Sequence, residues 1–165
     1  MNIFILDEDI VLCARYHLDK HIVKMPLESA QMLSTAVLTH GGTARYKAAH
    51  KNHPCSIWAR ETKSNFQWLV NLGVELCQEY TFRYGKVHKC LEVINECLGC
   101  LEVIPSGPLT PFAQAMPEEY KKDNAVEAYR AYYAGAKSKI AAWKNREVPE
   151  WWNVRQEARH REHAN

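Results

Sequence analysis

The stretch from about Asp9 to Thr39 most constrains how this chain folds. At about 100° per residue, His17, His21, Lys24, Glu28 and Gln31 fall on one narrow stripe. Ile22, Val23, Met25, Leu27, Ala30, Met32, Leu33, Ala36 and Val37 occupy most of the remaining circumference. A helix this apolar is mostly buried, so other helices must cover it. The thin polar seam left over meets either water or a cavity, and histidines bordered by so much apolar surface favour the wall of a pocket.

Helical spacing dominates the other segments, and few stretches alternate with period two. The first helical region is expected to break near His17 to Asp19, to kink at Pro26 and to close at Gly41-Gly42. A basic loop, Thr43 to Asn52, leads to His53-Pro54, which opens a long helix expected to reach Tyr84 and stop at Gly85. A third helix spans about Val87 to Leu98, and the Pro- and Gly-containing stretch Gly99 to Pro117 reads as a loop. The last helix takes Asp123 or Asn124 as N-cap and runs to about Lys144. Ahead of them all, Asn2 to Leu6 is either one brief strand or an anchored terminus. The fold class is therefore all-α, mainly a helical bundle with a short N-terminal extended stub. At 165 residues and 47% hydrophobic, the chain supports one core. One helical domain over 1–156 is expected, with a charged tail at 157–165 that frays.

No run approaches the roughly 20 apolar residues that span a bilayer, and Asp7-Glu-Asp9 stands where a signal peptide carries its apolar stretch. The expected location is the cytoplasm, where the six cysteines stay reduced. A net charge of +2 neither demands nor forbids a polyanionic partner.

Within the seam, Lys24 beside Glu28 suits acid–base work or a substrate anion. His17 and His21 have the spacing that presents two imidazoles to one metal, but no glutamate follows His17 in the zincin manner, and Lys24 repels a neighbouring cation. Cys97-Leu-Gly-Cys100 is a single pair without a second at finger-like spacing. No metal and no cofactor is expected. His53 and Arg60 stand around a helix start, where backbone amides favour a phosphate, although His53 and Asn52 serve equally well as caps. Arg83, His88 and Lys89 join Tyr80 and Tyr84 at a helix end, fit either for phosphate and a displaced base or for capping. Arg130, among Tyr129, Tyr132, Tyr133 and Lys137, adds either phosphate contacts or packing.

Taken in order, an apolar stub, then LDKHIVKMPLESAQML, then NHPCSIW leading a long helix to CQEYTFRYG, resemble the pyrimidine-dimer excision family, the endonuclease V type of DNA glycosylase with its phage and bacterial relatives. The similarity spans roughly residues 1 to 90, and the phage relatives of unassigned activity look closest. If the chain is phage-encoded, its place is the host cytoplasm. The resemblance implies a single helical domain that binds duplex DNA and flips a nucleotide out of the stack. It also implies attack by an N-terminal amine on C1′ to form an imine, a glutamate on the first helix that assists, and strand cleavage by elimination. By position, the amine is that of Met1, or of Asn2 if Met1 is removed, and the helix residues are His17, Lys24 and Glu28. Asn2 is not a small residue, so Met1 is expected to stay, with Lys24 the other source of an amine. The family's glutamate falls nearest Lys24, with Glu28 one turn on.

The leading expectation is an enzyme that acts on a pyrimidine nucleotide in DNA, a glycosylase with AP-lyase action. Met1, Lys24 and Glu28 are catalytic, His17 and His21 orient, and Gln31, His53, Arg60, Arg83, His88, Lys89 and Arg130 contact substrate or phosphate. Two other classes stay open. One is a phage transferase acting on an activated 5-hydroxymethylpyrimidine in DNA; the other is a protein that binds DNA or a nucleotide without turnover.

Overall fold

A computed structural model describes residues 1–164, and among these every regular element is helical, with no strand. Residues 1–6 form no helix and run as a largely buried stub, with Asn2 to Leu6 all inside the protein. The first helical region is two helices, α1 (Ile10–Tyr16) and α2 (Asp19–Thr39), split where the sequence predicts a break. His17 and Leu18 between them are extended. The split leaves carbonyls at the end of α1 without helical partners, and the buried Arg83 satisfies two of them. Its Nη1 donates to His17 O at 2.8 Å and its Nη2 to Arg15 O at 2.9 Å.

The long helix expected from Pro54 to Tyr84 is instead α3 (Pro54–Glu61) and α4 (Lys63–Tyr84). Thr62 adopts extended backbone between them, and its Oγ1 accepts from Asn65 N as the N-cap of α4. The same hydroxyl donates to Pro108 O at 2.9 Å, so the loop after residue 104 is pinned to the break. Gly85 ends α4 in the left-handed region at φ +68, as its position after Tyr84 predicts.

The third helix, α5 (Cys90–Leu98), starts three residues later than expected, because His88 Nδ1 accepts from Cys90 N and fixes the entry. Helix α6 (Ala125–Ala136) has Asn124 as N-cap, as expected, but stops eight residues short of Lys144, giving way to a 3-10 turn at Ser138–Ile140. Where a fraying tail is expected over 157–165, a further helix α7 (Glu150–Ala164) runs through to Ala164, with residue 165 outside the described residues. Trp151 and Trp152 hold it, packing edge-on against Tyr16 and Trp143.

At the centre lies α2, against α3, α4 and α5. Ile22, Met25, Ala30, Met32, Leu33, Ala36 and Val37 are buried as the periodicity implies, but Val23 and Leu27, expected with them, stand exposed beside Lys24. The stub is covered by α2 on one side and α6 on another: the Phe4 ring stacks on His21 at 4.4 Å and meets Tyr129 and Tyr133 edge-on. Among the described residues no helix is long and apolar enough to cross a membrane.

Candidate active site

Burial of the stub carries the first backbone nitrogens of the chain to α2. Glu28, itself buried, points its carboxylate at them. Oε1 accepts from Asn2 N at 2.9 Å and lies 3.3 Å from the Met1 amine, while Oε2 is 3.7 Å from Lys24 Nζ. The environments of the two cations differ: the Met1 side chain is 3% exposed and that of Lys24 69%. The Met1 side chain is anchored in the protein while the residue as a whole is half-buried, so its amine stands at the edge of the fold; Lys24 reaches further into solvent and shares the carboxylate from outside. Among the residues expected to be catalytic, Met1, Lys24 and Glu28 therefore come together.

His53 joins them from α3. Its Nδ1 accepts from Cys55 N at 3.1 Å as the helix cap, so the proton of the neutral ring sits on Nε2. Partial burial, then the positive Met1 amine and His50, push its pKa below the usual histidine value, with Glu28 opposing. A neutral imidazole with an N–H to donate thus stands in the field of the amine–carboxylate pair.

His17 and His21, which the spacing sets on the wall of a pocket, are buried in the core instead. His17 sits in the break between α1 and α2; its Nδ1–H donates to Cys13 O at 2.7 Å, and Nε2 has no partner within the protein. Burial lowers its pKa to about 4. His21 shares a 2.6 Å hydrogen bond with the Tyr133 hydroxyl; burial, then the charges of His17, Lys137 and Lys24, lower its pKa to about 3. Both rings are neutral near pH 7 and act as core groups that seat Phe4, and through it the stub. Gln31 is half-buried one turn beyond Glu28.

The cations grouped as phosphate ligands part company in the structure. Arg83 has no exposed side-chain surface and spends its guanidinium on Arg15 O, His17 O and Asp19 Oδ1. Both ring nitrogens of His88 are engaged, Nδ1 by Cys90 N and Nε2–H by Val23 O at 2.9 Å. Arg130 donates to Leu6 O and Asp7 Oδ2 and lies over the Tyr16 and Trp151 rings. Arg83, His88 and Arg130 are thus internal ties of the fold. Arg60 is half-buried and donates to Lys51 O; Lys89 is exposed at the N-cap of α5. A surface groove of about 780 Å³ does involve His88 and Lys89, but Arg45, Tyr46 and α5 complete its lining, and it is separate from Met1 and Glu28.

Several groups that contact the stub are absent from the residues expected at the site. Asn2 Oδ1 accepts from Ile3 N at 2.8 Å and lies 2.9 Å from the Tyr129 hydroxyl; Asn2 Nδ2 donates to Ala115 O at 2.8 Å. Lys137 Nζ lies 5.8 Å from the centre of the Phe4 ring and 5.0 Å from that of Tyr132. Tyr129 and Lys137 show in the sequence only as one face of a helix, a signal that ordinary packing gives equally. Among the described residues no group of three or more His, Cys, Asp or Glu side chains is placed to hold a metal ion.

The arrangement can hold an amine beside a buried carboxylate that takes or returns its proton, with a neutral imidazole N–H close by. Residues 1–93, which contain Met1, Lys24, Glu28 and His53, match a family model described as pyrimidine dimer DNA glycosylase. No curated protein and no solved structure matches the chain.

Proposed function

The chain belongs to the pyrimidine dimer DNA glycosylase family, and from that premise we propose that it removes a damaged pyrimidine from duplex DNA and then cleaves the strand, with the Met1 amine as nucleophile. The observation that carries this reading is the amine 3.3 Å from the buried Glu28 carboxylate. Lys24 is the weaker candidate for the nucleophile, because its side chain is mostly in solvent and its ammonium lies 3.7 Å from the carboxylate against 3.3 Å for the Met1 amine.

The steps follow from that pairing. Glu28 takes a proton from the amine, whose lone pair attacks C1′ of the extruded nucleotide. The C1′–N bond breaks, its electron pair leaves with the pyrimidine, and the base acquires a proton there. The attached nitrogen, a secondary ammonium after the attack, then gives up a further proton to the carboxylate, and its lone pair opens the sugar ring as O4′ departs from C1′ and is protonated, leaving an iminium between C1′ and the Met1 nitrogen. Loss of a 2′ proton expels the 3′ phosphate, and water releases the sugar remnant from the amine. Glu28 is suited to the proton transfers, and its negative charge stabilises the iminium. The neutral His53 N–H is suited to donate to the departing base or to a phosphate oxygen. Lys24, at the solvent edge, supplies phosphate attraction.

Removal of Met1 leaves this pairing usable, because Asn2 N is itself 2.9 Å from Glu28 Oε1. Incubation with ultraviolet-irradiated duplex and borohydride is expected to leave a covalent adduct that peptide mapping places on the first residue. An adduct on the Lys24 peptide would reassign the nucleophile. Absence of both adduct and nicking would remove the glycosylase reading.

A further inference from the structure

An amine at the end of an extended stub is useful only if something holds the stub still, and no regular element does so here: residues 1–6 belong to neither helix nor strand. Arg130 and the Cys13 thiol bind its inner end at Leu6 O and Phe4 O, and the side-chain bonds nearest the amine converge on Asn2. Asn2 Nδ2 donates to Ala115 O at 2.8 Å, the Asn2 Oδ1 atom lies 2.9 Å from the Tyr129 hydroxyl, and the Cys55 thiol reaches the same oxygen at 3.6 Å. The Tyr129 phenol is buried, and burial raises its pKa well above the usual value, so it stays a neutral donor. It also binds the 113–115 segment, accepting from Ala115 N at 3.2 Å and lying 2.9 Å from Ala113 O. One phenol thus ties together the stub, α6 and the segment that holds the other end of the Asn2 carboxamide. The Asn2 main-chain nitrogen is bonded to Glu28 Oε1, the same oxygen that the Met1 amine faces.

We propose that Tyr129 is a positioning residue for the Met1 amine, acting through the Asn2 carboxamide. The residues that match the family model supply the amine and the carboxylate, and the part of the chain beyond residue 93 supplies the lock. This inference rests on the amine being the nucleophile, but the lock itself has a readout that needs no catalysis. Without the phenol, Asn2 loses its bond to α6, the first two residues sample positions away from Glu28, and the amine meets solvent more often. A 1 Å loss of registration at a reacting atom costs up to about a hundredfold, so a loosened but still tethered amine should lose about tenfold.

Two measurements on Tyr129→Phe test the idea in the full chain. The rate of borohydride trapping on saturating irradiated duplex should fall about tenfold with little change in the DNA concentration for half-saturation, as expected when alignment and not binding is lost. Acylation of the Met1 α-amine by an activated ester, followed by mass spectrometry with no DNA present, should quicken severalfold. Asn2→Leu removes the carboxamide without placing a small residue behind Met1, and it should reproduce both effects. The double variant should be no worse than either single, because both break one connection. Unchanged trapping and labelling in Tyr129→Phe, or fully additive losses in the double variant, would overturn the proposal. If the wild-type protein forms no adduct, the enzymatic reading fails, and faster labelling of Tyr129→Phe still upholds the lock while equal labelling removes it.

Discussion

Replacing Glu28 by Gln tests the site most directly, because the change keeps the shape of the side chain and removes only its charge. At the 3.3 Å separation of the Met1 amine from Oε1, two unit charges interact by about 5 kcal/mol at an effective dielectric of about 20. Lys24, 3.7 Å away on the solvent side, already neutralises part of the carboxylate, so about 3 kcal/mol is a fair share for the iminium that forms at the amine. That corresponds to about a hundredfold in rate, within the range of a positioned acid–base group. The fold should survive, because the amide oxygen of Gln still accepts from Asn2 N, with a stability loss of about 1 kcal/mol as a charged acceptor becomes neutral. Single-turnover nicking of irradiated duplex and borohydride trapping both read the chemical step, and a urea melt checks the fold. Trapping within threefold of wild type in a well-folded Glu28→Gln protein would refute the assignment of Glu28 to the chemistry.

Arg83→Met should cost about 3–5 kcal/mol in urea denaturation, since it strips the partners from Arg15 O and His17 O and removes a neighbour of the buried Glu79, whose other partner is Arg146 at 2.9 Å. A loss under about 1 kcal/mol would mean that Arg83 is not the tie described. The depressed pKa values of His17, about 4, and His21, about 3, fix the sign of a pH effect. The unfolded chain binds these protons near pH 6.5 and the folded protein does not, so their contribution is complete above pH 6.5 and is lost as the pH falls toward 4 and 3. Urea midpoints between pH 7 and 5, above the range where most carboxylates titrate, should decline, with a limiting slope of about 1.4 kcal/mol per pH unit for each histidine. A flat profile over that interval would show that neither ring is held neutral.

The helical class, the break near His17, the Gly85 stop and the Asn124 cap were all legible, because each depends on residues adjacent in sequence. Lys24 and Glu28 were legible together for the same reason, being one helical turn apart. The division of the Pro54–Tyr84 helix was not: its apolar repeat runs through Thr62 unbroken, and only the hydroxyl's bonds to Asn65 N and Pro108 O reveal the joint. Arg83, His88 and Arg130 read as phosphate ligands because a cation tied to backbone carbonyls has no sequence signature. The carbonyls of Arg15, His17, Val23 and Leu6 that hold them are common to every residue type. Helix α7 was hidden by its charge, since its attachment combines two tryptophans at one end with polar bonds from Arg155, Gln156 and Arg159 to Glu127 and Ala134 O of α6. Periodicity sets Tyr129 on one helix face with other tyrosines; that it touches Asn2, 127 positions away, depends on the tertiary fold alone.

That last separation governs the order in which the molecule can be completed. The stub is synthesised well before the segment that seats it, because the tyrosines and the carbonyl that hold it are spread over residues 115–133. At about 5–20 residues per second, the opening hexapeptide must wait on the order of ten seconds for its cradle to exist. The nascent chain therefore holds a greasy, unsheltered stub while its central helices condense, and Met1 settles beside Glu28 with its full set of supports only after residues 115–133 have been made.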